Sequence, residues 1–257
     1  PSAMRTKQMQ PPKLVAPAGP SDAKIALVGE APGETEEIYG RPFIGPAGEE
    51  LTRILHDAGI DRESCYVTNV FKHRPPDNDV EHFFRSRTDP DADTSLPPFR
   101  PGKYLCLKHR PYITTLLDEL SRLEPKVVVA LGGTALWALL GLQKISAHAG
   151  ILHEPTGTRK YFVLPTYHPA AVLRNYSLRS TVVANLSKIK NISLRPAPGP
   201  ARRLYTPSNF RIKINPTLAE CRSFACIAAK AEAVAIDIET AHNQITTISF
   251  TIRSNEA

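Results

Sequence analysis

No stretch of the 257 residues approaches the roughly 18 to 20 consecutive apolar positions that a membrane-spanning helix needs. The N-terminus has no hydrophobic signal core, so a cytoplasmic location and no membrane partner are expected. Cysteine is scarce: Cys65, Cys106, Cys221 and Cys226 are the whole set, and none forms a CxxC pair. That excludes a disulfide framework and a thiol-rich metal knuckle, and leaves four reduced packing cysteines as the expectation. Acidic residues are outnumbered, 25 against 32 basic ones, for a formal charge of +7. A basic surplus favours polyanion partners, because each phosphate neutralised releases condensed counterions. Charge alone does not identify a nucleic-acid binder.

What is present is enough for an ordinary core. Hydrophobic residues make up 42% of the chain and charged residues 22%, which excludes wholesale disorder. Residues 1–22 are rich in Pro, Lys and Gln and read as a flexible leader, with Pro1 to Ala3 ahead of Met4 resembling an expression scar. Four short apolar runs read as buried strands: Lys24 to Gly29, Cys65 to Val70, Lys126 to Leu131 and Tyr161 to Pro165. Between them lie helical periodicities. Leu51, Ile54, Leu55 and Ala58 share one face, ended by Gly59. Ile113, Leu116, Leu117, Leu120 and Leu123 share another, stopped before Pro125. Further helices are expected from Gly132 and Gly133 through Leu140 and over residues 169–190, and residues 75–104 read as one long aperiodic loop.

Strands alternating with helices predict parallel pairing with right-handed crossovers. The fold class expected is therefore α/β, a three-layer α/β/α sandwich on a central parallel four-stranded sheet over residues 23–190. Residues 191–208 form a basic, Pro-rich linker, and 209–257 a truncated α/β segment with a strand at Phe210 to Ile214, a helix over Thr217 to Lys230 and a strand at Ala233 to Ile238. In such sheets the site lies beyond the carboxyl ends of the strands. Glu30 after the first strand, Asn69 in the end of the second and His168 after the fourth converge there. Glu36 and Phe43 follow Glu30 in a glycine-bearing segment that, on composition alone, reads equally well as an acidic solvated loop.

The strings GEAPGETEEIYGRPFIG (29–45), TNVFKHRPP (68–76), VVVALGGTA (127–135) and LPTYHPAAVLRN (164–175) together resemble the family 4 uracil-DNA glycosylases, in the family's order over roughly residues 22–190. The resemblance implies a monofunctional DNA repair glycosylase that flips uracil out of DNA and hydrolyses its N-glycosidic bond. It implies catalytic roles for Glu30, Ala31 and His168: His168 donating to O2 of the departing uracil, and the Ala31 carbonyl with neighbouring polar groups holding the water. It gives uracil-binding roles to Phe43 as stacking floor, Asn69 as reader of O4 and N3–H, and Glu36 as a guard against the thymine methyl. Ala171, Val172 or Leu173 would wedge into the gap left by the flipped base, with Arg174 near a phosphate. Related family 1 enzymes carry an aspartate where this chain has Ala31, so a dissociative path without a carboxylate base is expected. Uracil-containing DNA is the expected partner, and a monomer the expected state.

The chain departs from the family in ways that matter. Family 4 enzymes usually bind a [4Fe–4S] cluster through four cysteines; here the leader has none, His73 replaces one, and only Cys106 stands at a plausible ligand position. No iron–sulfur cofactor and no metal in the glycosylase domain are expected. Ala149 replaces a frequent arginine. The aromatic and cationic residues His82, Phe83, Phe84, Arg85 and Arg87 lie in a segment read either as a disordered insert or as a DNA-contacting loop. The tail AVAIDIETAHNQITTISF (233–250) resembles the first motif of DnaQ-like 3′–5′ exonucleases of family A DNA polymerases, with Asp237 and Glu239 as an incomplete metal site. A glycosylase–polymerase fusion of phage type is the expectation. The alternatives are a uracil-sensing module that turns over poorly, and a structural domain.

Overall fold

The computed structural model describes residues 13–157 and 159–189, isolated positions between 219 and 229, and two strands, 233–241 and 244–253. The chain divides into two compact units, Pro1–Pro200 and Ala201–Ala257.

In the first unit, β1 (Ile25–Gly29), β2 (Cys65–Asn69), β5 (Val127–Leu131) and β6 (Phe162–Thr166) form one parallel sheet in the order β2-β1-β5-β6. Side chains alternate between faces along each strand, and the alternation builds two cores. Ala26, Val28, Val128, Ala130 and Val163 face α3 (Arg110–Leu123) and α4 (Gly133–Leu140). Leu27, Val67, Val127, Val129, Leu131 and Leu164 face α2 (Pro46–Asp57) and α7 (Leu178–Ser187). The result is the expected three-layer α/β/α sandwich. Buried Glu50 ties α2 to α7 by accepting from Arg179 at 2.9 Å. The chain leaves β1 toward β2 on one side and returns to place β5 on the other, so the strand order reverses between β1 and β5 and opens a crevice at their carboxyl ends.

Four expectations need correction. The leader is structured from residue 13: Val15 is buried, its N–H donates to the Lys72 carbonyl at 2.7 Å, and Ala18 bridges Val67 beside β2. An apolar residue next to an open sheet edge finds both burial and backbone partners there. Residues 75–104 are not a featureless loop. They hold 3₁₀ turns and an antiparallel ribbon of β3 (Phe84–Ser86) and β4 (Lys103–Leu105). Val80, Phe83, Phe84 and Phe99 are buried in the core, and Phe84 and Phe99 stack with ring centroids 4.2 Å apart. Aromatics without periodicity supply this core, each worth roughly 2–3 kcal/mol when fully buried. Phe83 and Phe84 are therefore not DNA-contacting residues, and the disordered-insert reading also falls.

The single helix expected over 169–190 is two, α6 (Pro169–Arg174) and α7. Asn175 breaks it: extended at φ −141°, it accepts from the Ser177 N–H and hydroxyl at 3.2 and 2.7 Å, a local turn that competes with helix. The acidic loop after β1 contains a short helix, α1 (Glu34–Tyr39), whose Glu36 is buried rather than solvated. A short α5 (Ile145–His148) completes the unit. Among the described residues no helix is long and apolar enough to cross a membrane.

In the second unit, β7 (Ala233–Ala241) pairs antiparallel with β8 (Gln244–Arg253). Asp237 and Glu239 lie two residues apart on β7, opposite Ser249 and Thr247, with an irregularity after Glu239. Positions 219, 222, 223, 225 and 226 are helical. The strand expected at Phe210 to Ile214, the linker 191–208 and Cys221 lie outside the described residues.

Candidate functional site

The crevice at the carboxyl ends of the strands is an open cleft of about 680 Å³, lined by Glu30, Ala31, Glu36, Phe43, Asn69, His168, Ala171 and Arg174 among others. These residues come from three separate stretches of sequence, each of which follows or ends a strand of the sheet.

Asn69 ends β2 and is buried, with its Oδ1 lacking any hydrogen-bond partner. Its backbone is anchored from below: Lys72 Nζ donates to the Asn69 carbonyl at 3.0 Å, to Thr68 Oγ1 at 2.7 Å and to Glu119 Oε2 at 2.7 Å. Burial pulls the Lys72 ammonium below its usual range, and the Glu119 carboxylate opposes that shift. Gly29, opposite Asn69 in the sheet register, has no alternative: a Cβ there would stand 2.4 Å from both Asn69 Oδ1 and Phe43 Cζ. The amide and the ring meet over a glycine.

His168 is the N-cap of α6. Its Nδ1 accepts from the Ala170 N–H at 3.1 Å, so the ring proton of the neutral imidazole resides on Nε2. Burial, with the Arg174 charge as a smaller cause, lowers its pKa to about 4. At neutral pH it is an uncharged donor. Its ring centroid lies 5.7 Å from that of Phe43, with the planes 34° apart.

Glu30 follows β1, and burial raises its carboxyl above the usual range while the Thr134 hydroxyl, donating to Oε2, opposes the rise. Thr134 stands in the string VVVALGGTA (127–135), but nothing in its sequence neighbourhood distinguishes it from a core threonine. Glu36 braces the loop. Its Oε1 accepts from the Ile44 and Gly45 N–H groups at 3.1 and 2.9 Å, and its Oε2 from the Gly33 N–H at 3.1 Å.

The expected wedge set divides. Val172 is fully buried against the α2–α7 side and is withdrawn from it, whereas Leu173 is 47% exposed. Helical geometry forces this: neighbouring residues point about 100° apart, so one side chain faces the core and the next faces out. Arg174 is exposed, and Tyr176, unremarked in the sequence, is 68% exposed beyond it. Asp237 and Glu239 belong to the other unit.

The region where the family resemblance places cluster ligands is occupied by rings. His73 Nδ1 is hydrogen-bonded to the Tyr112 hydroxyl, and Phe83 meets the His109 ring edge-on at 4.9 Å. Cys106 is buried nearby, its N–H donating to the Phe83 carbonyl at 2.9 Å, and Cys65 lies in the opposite core with its pKa raised by burial to about 11. His109 Nε2 is buried without a hydrogen-bond partner, but one thiol and two imidazoles, one of them already bonded to Tyr112, are not the donor set of an iron–sulfur cluster.

Comparison with known proteins gives three findings. The uracil DNA glycosylase superfamily matches residues 16–190. Type-4 uracil-DNA glycosylases are similar: that of Thermotoga maritima is 37% identical over 182 residues, covering 69% of this chain and 82% of that protein. That of Saccharolobus solfataricus is 33% identical, covering 67% and 72%. A DNA polymerase of Bacillus phage SP01 is 25% identical over 192 residues, which is 74% of this chain and 18% of the polymerase.

Proposed function

The chain belongs to the uracil DNA glycosylase superfamily, and from that premise we propose that it excises uracil from DNA by hydrolysing the N-glycosidic bond, leaving an abasic site. The observation that carries this reading is the neutral His168, its proton on Nε2, in one cleft with the Asn69 amide and the Phe43 ring. The flipped base stacks on Phe43. Asn69 Nδ2 donates to O4 and Oδ1 accepts from N3–H, a pairing that cytosine cannot offer. As the glycosidic bond lengthens, electrons flow into the leaving uracil, and His168 Nε2–H stabilises the charge gathering on O2. Uracil leaves as the anion, and water held near the Ala31 carbonyl and the Glu30 carboxyl attacks the sugar carbon. Its proton passes to solvent through the open cleft, from which the released uracil is in turn protonated. Glu36 acts on the pocket through the backbone it braces, and keeps its place against the thymine methyl as part of the same proposal. The test is a uracil-containing oligonucleotide treated with the protein and then alkali: strand scission is expected. A selective gel shift without scission would favour a sensor, and neither result would leave a scaffold.

Leu173 is proposed as the wedge, with Arg174 at a flanking phosphate. Leu173→Ala is expected to slow excision from double-stranded DNA about tenfold, while single-stranded substrate, which has no partner strand to replace, is little affected. Equal loss on both substrates would argue against a wedge. The domain is further proposed to work without an iron–sulfur centre, the His73–Phe83–His109–Tyr112 rings bracing the segment after β2 instead. The purified protein is expected to be colourless and iron-free; a brown preparation absorbing near 400 nm would overturn this.

The second unit is proposed to be the start of an exonuclease-like domain in a glycosylase–polymerase fusion. The spacing of Asp237 and Glu239 on β7 and the similarity to a phage DNA polymerase support that reading. The gene beyond Ala257 tests it: a polymerase reading frame is expected, and an unrelated one would end the idea.

A further inference from the structure

Phe43 adopts φ 55°, in the left-handed region, where a residue with an ordinary Cβ is strained. Such strain persists only where the surroundings over-determine it. Here they do so on both sides of the residue. Arg62, in the 3₁₀ turn Arg62–Ser64 ahead of β2, donates through Nη2 to the Phe43 carbonyl at 2.6 Å and through Nη1 to the Gly48 carbonyl at 2.8 Å. Thr52 Oγ1 accepts a further bond from Nη1. Gly48 makes room, since a Cβ there would stand 1.8 Å from the Phe43 oxygen. On the other side, the Ile44 and Gly45 N–H groups are held by Glu36.

Arg62 itself does not line the cleft, and it forms no ion pair among the described residues. Half-burying a guanidinium without a direct ion pair is costly: burial lowers its pKa, and the charge of neighbouring Glu63 only opposes that shift. The bonds it makes go to the Phe43 loop and the first turns of α2 that the loop leads into. A planar fork holds its two carbonyl bonds in fixed directions from two nitrogens, which the single nitrogen of a lysine on its flexible stem does not.

We propose that Arg62 is a positioning residue for the uracil pocket, holding the Phe43 peptide in the left-handed conformation that presents its ring to the flipped base. The inference rests on the glycosylase reading above, and the test separates the two. Steady-state excision and inhibition by free uracil are measured for the wild type, Arg62→Met, Phe43→Ala and the double variant. Binding to DNA carrying an abasic site analogue is measured alongside. Arg62→Met is expected to raise the uracil inhibition constant about tenfold and to raise KM more than it lowers kcat, with abasic-DNA affinity unchanged. In the Phe43→Ala background the same substitution is expected to add nothing, because its effect passes through the ring it no longer positions. Arg62→Lys, which keeps the charge and loses the fork, is expected to recover only part of the loss. Should Arg62→Met fail to fold, Thr52→Val removes one tether and is expected to move the uracil constant in the same direction by less. Wild-type excision with uracil inhibition unaltered in the folded variants, or additive effects in the double variant, would overturn the inference alone. A wild type that releases no uracil would overturn the glycosylase reading, and with it the role given to Arg62.

Discussion

His168→Ala is expected to lower single-turnover excision of uracil by about 10²–10³, the usual loss when one preorganised donor to a developing anion is removed. The structure makes the donor unambiguous. Because Nδ1 accepts from the Ala170 N–H, the proton of the neutral ring is on Nε2, the nitrogen proposed to donate to O2. The substitution also removes a helix cap, worth roughly 1 kcal/mol, so His168→Asn is the companion variant. It offers an acceptor to the Ala170 N–H but is too short to replace Nε2, so it should retain thermal stability and still lose excision. Glu30→Gln is expected to cost less than either. Equal loss would reinstate a carboxylate base. A His168→Ala variant within tenfold of wild type would remove the leaving-group role altogether.

The same residue sets the pH profile. Burial lowers the His168 pKa from 6.5 to about 4, so the neutral ring persists from alkaline pH down to about 5, and wild-type excision should be flat over that span as far as His168 governs it. Stability follows a related rule. As pH falls, the unfolded chain takes up a proton on this histidine near 6.5 while the folded chain resists until about 4. The unfolded state therefore binds more protons in that window, and this contribution to stability is lost progressively from pH 6.5 down to 4. Protonation would also break the cap, since an imidazolium cannot accept from Ala170. Rates at the acid end have to be normalised to folded protein.

The sheet was legible because its strands are short apolar runs closed by turn residues, and helical faces such as that from Leu51 to Ala58 repeat with an unmistakable period. The pocket residues were legible through a different signal, the family strings, and Asn69, Phe43 and His168 do meet. What escaped was whatever depends on pairing across the chain. Phe83, Phe84 and Phe99 have no period, so their burial is visible only once β3 and β4 are paired. Val172 and Leu173 are neighbours in sequence, and only the packing of α6 decides which one faces solvent. Arg62 and Thr134 are tied to the site by hydrogen bonds to residues 19 and 104 positions away, a kind of relation that neither composition nor periodicity carries.

Asn69→Asp is the nearly isosteric change with the second largest expected effect. In the wild type, Asn69 is buried and its Oδ1 has no hydrogen-bond partner among the protein's described residues, so on the proposed reading it is free to accept from uracil N3–H. The amide presents one donor and one acceptor, matching O4 and N3–H. Cytosine reverses both, and a pocket built around such a pair rejects the wrong partner by roughly 10⁴-fold. An ionised carboxylate keeps the acceptor but turns the donor into a second lone pair facing O4. Excision of uracil at pH 8 should therefore fall by about 10²–10³. The introduced carboxyl would sit beside Gly29 and the Phe43 ring, where desolvation raises its pKa. Once protonated it again offers one O–H donor and one carbonyl acceptor. Excision by the variant should consequently recover as pH falls from 8 toward 5, a range over which His168 is already neutral and adds no pH dependence of its own. A loss that does not vary with pH would mean that the donor to O4 is not what Asn69 supplies, and no loss at all would remove Asn69 from base reading.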